Sequence, residues 1–249
     1  IADALVAEAE CEAIRRLAET HNMRMSEVRA GATIEEHRNS ASVWVQGAGV
    51  EWTRGGEAAS IDAPAGSDEE KLVAVRERVA SLVRMHPVVC EDIQVVRYKK
   101  GQHYYYHRDV GDYRLEDSDL TEGRYVTALL YLTDDFEGGA TNFPLCNESE
   151  SIPRDHFGMV TTKFGMCQTE KGLTVEPRRG RVVLFYNLLP NALEPDYDAL
   201  HGSCDVIRGE KWSANLWFNF GYRGNLNKLQ LLKQRHAKLE AMRTADQHV

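Results

Sequence analysis

The sequence lacks long apolar runs and any excess of positive charge. In 249 residues no apolar stretch approaches the roughly 20 residues of a membrane-spanning helix, so we expect no membrane segment. Lys and Arg together number 30 against 38 Asp and Glu, which gives a net charge of -8. Because nucleic-acid binding needs cations clustered against phosphates, this balance argues against a nucleic-acid partner. The hydrophobic content of 43% is ordinary for a globular chain that buries a substantial core.

Cysteine is scarce, and its spacing excludes a common metal pattern. The five cysteines include no C-x-x-C pair, which argues against a structural zinc site. Cys146 and Cys167 flank a long segment and are candidates for a disulfide. Asn147-Glu148-Ser149 beside them matches a glycosylation acceptor, although such tripeptides also occur by chance. Together they favour the secretory pathway or endoplasmic reticulum, reached through an N-terminal segment that a sequence beginning at Ile1 does not contain; a cytoplasmic location is the alternative.

The order of helical and strand-like patterns predicts a fold built mainly of strands. Apolar residues at helical spacing predict helices over residues 2–20, from Ser67 to about Met85, and from Asn225 to about Arg243. Five segments rich in β-branched and aromatic residues predict strands: Ile93–Tyr98, Tyr125–Leu132, Leu173–Glu176, Arg181–Tyr186 and Ser213–Phe220. Many short strands without intervening helices are typical of a sandwich or jelly roll.

We therefore predict one domain over residues 1–249, mainly β with flanking helices (α+β). A helical and β support region covers residues 1–91, a jelly-roll core covers 92–220, and a C-terminal helix or tail covers 221–249. The sequence makes no prediction about the oligomeric state.

Two histidines, an aspartate and a lysine form the most informative pattern. Alternate residues of an extended strand project to the same side, so His107 and Asp109 can reach one ion while Arg108 points away. A third ligand must come from elsewhere in the fold, and His201 is the candidate. Two imidazoles and one carboxylate form the face that holds non-haem Fe(II) and leaves coordination positions open. Lys211, ten residues after His201, supplies a cation where a dicarboxylate co-substrate would need one. The pattern therefore suggests an iron enzyme that uses 2-oxoglutarate and oxygen.

Each member of this pattern has a simpler explanation when taken singly. His201 can be a hydrogen-bonded core histidine, Lys211 a solvated charge, and a lone H-x-D triplet occurs by chance. His107-Arg108-Asp109 also matches the catalytic-loop triplet of protein kinases. No glycine-rich phosphate loop, Val-Ala-Ile-Lys strand or Asp-Phe-Gly triplet accompanies it, so the kinase interpretation is discarded. The combination of all four residues favours the iron site.

Seven motifs follow one another with a specific order and spacing: Gln94–Tyr98, Gly101–Asp109, Arg124–Leu132, Glu137–Pro144, Arg181–Asn187, His201–Cys204 and Gly209–Trp212. Together they resemble the catalytic domain of a prolyl 4-hydroxylase of the plant and algal type. The resemblance covers about half of the chain, from about Asp92 to Phe220. Residues 1–91 match only loosely, through the first helix and Arg38–Val45.

The resemblance implies a double-stranded β-helix and a dioxygenase dependent on Fe(II) and 2-oxoglutarate, with dioxygen as oxidant and ascorbate as an accessory. It implies hydroxylation of prolyl residues in a peptide or protein, coupled to decarboxylation of 2-oxoglutarate to succinate. By position it implies His107, Asp109 and His201 as iron ligands and Lys211 as the partner of the distal co-substrate carboxylate. It further implies co-substrate or iron-site contacts by Tyr98, Tyr131, Thr141 and Trp217, and peptide contacts by Tyr104 and Arg124.

Three departures from the family pattern concern the substrate. Tyr106 stands where the family usually has proline, and Asn219 stands where the plant and algal type often has histidine. Leu145–Lys171 is a long connection of the kind that forms lids or disordered segments. Two alternatives therefore stay open: the same chemistry on another side chain or a small molecule, and a non-catalytic module that binds proline-rich segments.

An acidic segment lies between the metal motif and Arg124. It contains Asp112, Glu116, Asp117, Asp119 and Glu122. A solvated loop is one interpretation of this segment. The other is that it steers substrates with basic residues near the target towards the site.

Overall fold

The structure is a computed structural model that describes residues 1–26, 38–45, 63–85, 87–110, 124–146, 167, 172–189 and 195–219. Two helices are described, α1 (Glu8–Thr20) and α2 (Asp68–Leu82). The strands, in chain order, are β1 (Arg24–Met25), β2 (Ala41–Val45), β3 (Ile93–Lys99), β4 (Tyr104–His107), β5 (Arg124–Tyr131), β6 (Glu137–Gly138), β7 (Thr141–Phe143), β8 (Leu173–Val175), β9 (Val182–Tyr186), β10 (His201–Ser203), β11 (Val206–Arg208) and β12 (Glu210–Asn219).

The described strands form two main antiparallel sheets. The large sheet has the order β1-β2-β3-β12-β5-β9, and the small sheet has the order β4-β10-β7-β8. A separate pair joins β6 to β11. The long strand β12 lies between β3 and β5 and pairs with both. Neighbours in each sheet are mostly distant in sequence, so the fold brings together residues that no local pattern connects.

The alternation of side chains along β12 divides the large sheet into two faces. Ala214, Leu216 and Phe218 are fully buried and belong to the main hydrophobic core, together with apolar residues of both helices. Lys211, Ser213, Asn215 and Trp217 occupy the alternate positions and line a cavity on the opposite face. Because successive side chains of a strand point to opposite faces, one strand serves both the core and the cavity.

Both described helices begin or end at positions that differ from the sequence prediction. The prediction started the first helix at residue 2, but α1 begins at Glu8. Ala2 instead exchanges two backbone hydrogen bonds of 2.9 Å with Val182, so the residues before the helix run along the edge of the sheet. The second helix begins as predicted after Ser67, whose side chain accepts a hydrogen bond from the Glu70 amide. It ends at Leu82, a few residues before the predicted end.

The prediction of a mainly β fold with flanking helices is confirmed. All five predicted strands are present as β3, β5, β8, β9 and β12, with ends that differ by a few residues. The predicted C-terminal helix, the acidic segment and most of the connection Leu145–Lys171 lie outside the described residues. The division of the chain into a single domain stays a prediction. Within the described ranges, no helix combines the length and the apolar character needed to cross a membrane.

The candidate disulfide between Cys146 and Cys167 is wrong. Cys167 is bonded to Cys204, with the two Cα atoms 5.2 Å apart, and Cys146 is a half-buried free thiol. Cys204 follows β10, and its amide donates to the Ala140 carbonyl at 2.9 Å. The pairing depends on which cysteine the tertiary structure brings close, and sequence separation does not report that distance.

Candidate active site

A cavity of about 790 Å³ lies along the inner face of the large sheet. Side chains of β2, β3, β5 and β12 form its floor, and residues of β4, β7 and β10 from the small sheet form the opposite wall. Residues of the segment that includes β1 line its outer end. Every predicted site residue except Tyr131 lines this cavity: Tyr98, Tyr104, His107, Asp109, Arg124, Thr141, His201, Lys211 and Trp217.

The two histidines and the aspartate meet in the cavity. His107 is the last residue of β4 and His201 is the first residue of β10, and the antiparallel register places them directly opposite each other. Asp109 lies two residues beyond the end of β4, in a bend, and not on the strand itself. Candidate ligand atoms of the three residues all lie within 4.8 Å of one another. Nε2 of His107 is 3.6 Å from Asp109 Oδ1, and Nε2 of His201 is 3.9 Å from Asp109 Oδ2.

The hydrogen bonds of both imidazoles leave the same ring nitrogen available to a metal. Nδ1 of His107 donates to the Tyr105 carbonyl at 2.8 Å, and Nδ1 of His201 donates to the Ala199 carbonyl at 3.0 Å. Because a carbonyl only accepts, each Nδ1 carries a proton, which leaves Nε2 as the ring nitrogen that can bind a metal. Burial, and then repulsion from His201, lower the pKa of His107 to about 4. His107 is therefore neutral at physiological pH, the form that binds metals.

Asp109 is held as a carboxylate by hydrogen bonds to one of its oxygens. Thr127 Oγ1 donates to Oδ2 at 2.7 Å, and Trp217 Nε1 donates to the same atom at 3.0 Å. Burial alone would raise the pKa of Asp109, but interactions with His201, His107 and Arg124 lower it well below its usual range. The three side chains together offer two imidazole nitrogens and one carboxylate, a donor set that fits Fe(II) and leaves positions for other ligands.

Lys211 is a buried cation that faces this cavity without a carboxylate partner among the described residues. Only 1% of its surface is exposed, and Nζ donates to the Gly139 carbonyl at 2.7 Å and to Ser203 Oγ at 2.8 Å. Burial lowers its pKa to about 7. Gly139 adopts a φ of +68°, and a Cβ there would lie 3.0 Å from Lys211 Cδ. A buried unpaired charge is unfavourable, so the site is built to receive an anion.

Residues around Lys211 differ in their access to the cavity. Tyr98 pairs directly with Lys211 across β3 and β12 and, like Thr141, lines the cavity. Tyr131 is fully buried, and its hydroxyl donates to Thr141 Oγ1 at 2.7 Å. Tyr131 therefore lies behind Thr141, where it fixes that hydroxyl without being part of the cavity lining. Ser203, which the sequence analysis missed, also lines the cavity; it is two residues after His201 on β10, a spacing that places both on one face.

The outer part of the cavity carries aromatic rings with cations packed on them. The Tyr104 ring stacks on His107, with centroids 3.6 Å apart. The Arg124 guanidinium lies 3.4 Å from the Trp217 ring centroid. Glu91, which the sequence analysis also missed, accepts two hydrogen bonds from Arg124, at 2.9 and 3.1 Å.

Two of the three departures from the family pattern fall on described residues. Asn219 donates to Glu91 Oε1 at 3.1 Å, so it takes part in holding the Glu91–Arg124 pair. Tyr106 is buried and its hydroxyl donates to Asn142, and it is not among the residues that line the cavity. Arg108, expected to point away from the metal, is also absent from the lining and lies over the Tyr197 ring at 5.2 Å.

Trp44 is a further residue of the cavity that the sequence analysis did not single out. It lies on β2 at the mouth, is 43% exposed, and its ring centroid is 5.5 Å from that of Trp217. Arg38 lies nearby, with its guanidinium 4.4 Å from the Tyr104 ring centroid. Both lie in the stretch Arg38–Val45, which matches the family only loosely. The pairing of β2 with β3 brings Trp44 to the site, and a bridge to Tyr104 brings Arg38 there.

Comparison with known proteins agrees with this geometry. The chain belongs to the 2OG-Fe(II) oxygenase superfamily, because the model of that family matches residues 93–219, about half of the chain. Its relatives within the superfamily are prolyl 4-hydroxylases, which confirms the resemblance drawn from the motifs. The predicted cofactors, Fe(II) and 2-oxoglutarate, are those of this superfamily.

Two relatives illustrate the similarity. Prolyl 4-hydroxylase 13 of Arabidopsis thaliana is 37% identical over 154 residues, which cover 61% of this chain and 52% of the relative. The transmembrane prolyl 4-hydroxylase of Mus musculus is 31% identical over 211 residues, which cover 75% of this chain and 40% of the relative. The chain thus spans about half, or less, of the length of these curated relatives.

Solved structures share the fold at low sequence identity. The viral collagen prolyl hydroxylase of Paramecium bursaria Chlorella virus-1, in its 2OG complex, superposes with a TM-score of 0.55 at 22% identity, over 87% of this chain and 92% of that one. A prolyl hydroxylase from Trichoplax adhaerens, in complex with a hypoxia inducible factor peptide fragment, gives a TM-score of 0.53 at 13% identity, over 95% of this chain and 84% of that one. These similarities confirm the predicted double-stranded β-helix.

Proposed function

We propose that this chain is an Fe(II)- and 2-oxoglutarate-dependent dioxygenase that hydroxylates prolyl residues in a peptide or protein. One observation carries the proposal: His107, Asp109 and His201 converge in the same cavity as Lys211, a buried cation without a carboxylate partner among the described residues. A binding module for proline-rich segments requires neither the ligand triad nor the buried lysine. Membership of the superfamily supports the same reaction class.

The chemistry of the bound cofactors defines what the protein has to provide. Iron and 2-oxoglutarate supply the oxidising step, in which dioxygen converts 2-oxoglutarate to succinate and carbon dioxide and one oxygen atom enters a C–H bond of the substrate. His107, Asp109 and His201 would hold the metal through Nε2, a carboxylate oxygen and Nε2. The protein otherwise positions the reactants and keeps other reactions out.

Lys211 and its neighbours would bind the far carboxylate of 2-oxoglutarate. Lys211 Nζ already donates to two oxygen atoms, and a carboxylate would add a charge-assisted hydrogen bond. Tyr98 and Thr141 offer hydroxyl groups in the same part of the cavity. The Tyr131 hydroxyl contacts Thr141 Oγ1 at 2.7 Å and the Val175 carbonyl at 3.3 Å, and so holds the Thr141 hydroxyl in position beside the ligand. These contacts orient the co-substrate so that its other end faces the triad.

The aromatic mouth of the cavity supports a peptide as the substrate. Trp44, Tyr104 and Trp217 present rings to the cavity that contains the triad, and extended proline-rich segments bind to aromatic grooves of this kind. Arg124, held by Glu91, offers guanidinium hydrogen atoms beside Trp217. The relatives are named as prolyl 4-hydroxylases, which favours proline over another target residue.

The reaction class is tested by removing the metal ligands. We expect His107→Ala and Asp109→Ala to abolish the formation of succinate in the presence of Fe(II), 2-oxoglutarate, ascorbate and a proline-rich peptide. Arg108→Ala is the matched control, because Arg108 lies between the two ligands but does not line the cavity; it should keep most of the activity. Normal succinate formation by His107→Ala would contradict the assignment of the metal site.

The substrate is tested by mapping the product. Mass spectrometry of proline-rich peptides after incubation should locate one added oxygen atom on proline. Trp44→Ala should raise the KM for the peptide and leave the KM for 2-oxoglutarate unchanged, because Trp44 lies at the mouth and not beside Lys211. Succinate formation without a modified peptide would favour a different substrate, and peptide binding without succinate would favour the non-catalytic alternative.

A location in the secretory pathway is part of the proposal. The Cys167–Cys204 disulfide supports it, because disulfides persist mainly in oxidising compartments.

A further inference from the structure

We infer that Thr127 and Asn187 are positioning residues that restrict Asp109 to binding the metal through one oxygen atom, Oδ1. The inference rests on the proposed iron site. Thr127 is on β5 and Asn187 follows β9, so two neighbouring strands of the large sheet deliver the pair behind the carboxylate. Both side chains are buried, and neither residue lines the cavity. They therefore act on the site through Asp109 and not through contact with a ligand.

The direction of each hydrogen bond follows from the chemistry of the acceptor. Asn187 Nδ2 lies 2.8 Å from Thr127 Oγ1, and Thr127 Oγ1 lies 2.7 Å from Asp109 Oδ2. An ionised carboxylate only accepts, so the single Thr127 proton must point to Asp109. Thr127 Oγ1 must then accept from Asn187, which fixes the orientation of the amide with its nitrogen towards Thr127. The result is a relay in which Asn187 directs the Thr127 proton onto Oδ2.

The hydrogen bonds of the Asn187 amide support this role. Its nitrogen donates to Thr127, while Oδ1 is buried and has no hydrogen-bond partner among the described residues. Buried polar atoms are rarely left without a partner, and exceptions call for an explanation. Two backbone hydrogen bonds of 2.9 Å fix the Asn187 backbone. Its N–H donates to the Tyr125 carbonyl, and its carbonyl accepts from the Asp196 N–H. Within the described part of the chain, the hydrogen bond that the side chain makes is therefore the one that its NH₂ group donates to Thr127.

The two oxygens of Asp109 consequently differ. Oδ2 accepts from Thr127 and from Trp217 Nε1, which occupy its lone pairs. Oδ1 has no such donor among the described residues and is the oxygen closer to a histidine Nε2, at 3.6 Å from His107. Oδ1 is therefore the atom presented to the metal. Partners of this kind orient metal ligands and tune the metal.

Binding through one oxygen matters because the coordination positions are few. Three protein atoms leave three positions on an octahedral ion. Chelation by 2-oxoglutarate would take two of them, and dioxygen would need the third. If Asp109 turned and bound through both oxygens, it would occupy a position that the co-substrate or dioxygen requires. The Thr127–Asn187 pair prevents this turn.

The test measures 2-oxoglutarate binding with and without metal. Thr127→Val keeps the shape of the side chain and removes its proton. We expect it to raise the Kd of 2-oxoglutarate for the Fe(II)-loaded protein, measured without oxygen, about tenfold. Its Kd for the metal-free protein should stay unchanged, because Lys211 sets that affinity. The visible charge-transfer band of the Fe(II)–2-oxoglutarate complex should shift, and Thr127→Ser should restore the wild-type band and Kd.

The outcomes separate this inference from the proposed function. If Fe(II) does not strengthen 2-oxoglutarate binding to the wild type, both the proposed iron site and the inference are wrong. If Fe(II) strengthens binding equally in the wild type and in Thr127→Val, with the same band, only the inference is overturned. Asn187→Leu decides independently should Thr127→Val not fold. A rise in the Kd of 2-oxoglutarate for the Fe(II)-loaded protein, relative to the wild type, supports the relay, and an unchanged Kd contradicts it.

Discussion

At the level of single residues, the site contains a buried charge that a bound anion would stabilise. Lys211 is the clearest case: it is 1% exposed and its pKa is lowered to about 7, since burial disfavours its charged form. Its two hydrogen bonds go to neutral oxygens. A dicarboxylate would supply the missing negative charge. In the proposed function the lysine is therefore both a binding group and a source of pH dependence.

The affinity for 2-oxoglutarate should fall as the pH rises through about 7. The ligand needs charged Lys211, which in the empty protein is present below its pKa of about 7 and is lost above it, so binding above that pH must take up a proton. We expect the Kd of the metal-free protein to rise about tenfold per pH unit above that point. Calorimetric titration between pH 6 and pH 9 measures it. Lys211→Met is the control, with a Kd that is high at every pH; a flat profile for the wild type would contradict the assigned role.

Among the secondary-structure elements, the β-strands β10 and β12 have the largest influence on the site. Strand β12 presents Lys211 and Trp217 to the cavity and alternate apolar residues to the core. Strand β10 begins with the candidate metal ligand His201 and ends with Ser203, which accepts a hydrogen bond from Lys211. Cys204 follows directly and is tied to Cys167. The disulfide therefore anchors Cys167, which is distant in sequence, next to the end of β10.

Removing this disulfide should lower stability. The bond closes a segment with a sequence separation of 37, for which the loss of loop-closure entropy in the unfolded chain amounts to about 3–4 kcal/mol. We expect Cys204→Ser to lower the free energy of unfolding in urea by up to about that amount. Cys146→Ser is the matched control and should change it little, since Cys146 is a half-buried free thiol. Equal stability of Cys204→Ser and the wild type would show that the bond contributes nothing.

For the whole molecule, ligand binding and folding stability are coupled. The triad and Lys211 come from β4, β10, β12 and the bend after β4, so a bound metal and co-substrate connect both main sheets. Any ligand that binds only the folded state stabilises it by mass action.

The metal and 2-oxoglutarate should therefore raise the melting temperature. With 2-oxoglutarate at about 100 times its Kd, the stabilisation is about 2.7 kcal/mol. For a chain of this size that corresponds to about 5–10 °C. Differential scanning fluorimetry without oxygen measures the shift. Asp109→Ala should lose the part of the temperature shift that depends on the metal, and Lys211→Ala should lose the part that depends on 2-oxoglutarate. An unchanged melting temperature of the wild type on adding both ligands would count against the site.

The sequence by itself determined the mainly β character of the fold, the positions of five strands and the candidate groups for the chemistry. The spacing of His107 and Asp109, and the position of Lys211 after His201, are local patterns, and strand alternation is a local consequence of backbone geometry. These patterns led to the fold, the cofactors and the family, which the comparisons confirm.

Only the tertiary structure decided which distant residues surround those groups. The pairing of Cys167 with Cys204, the place of Tyr131 behind Thr141, and the relay from Asn187 through Thr127 to Asp109 all join segments far apart in sequence. Each depends on strand register and on the packing of two sheets, and a shift of one residue would turn every side chain to the other face. The register depends on the sum of many weak packing interactions and on no single local motif. It can therefore be read from the folded structure and not from the sequence pattern.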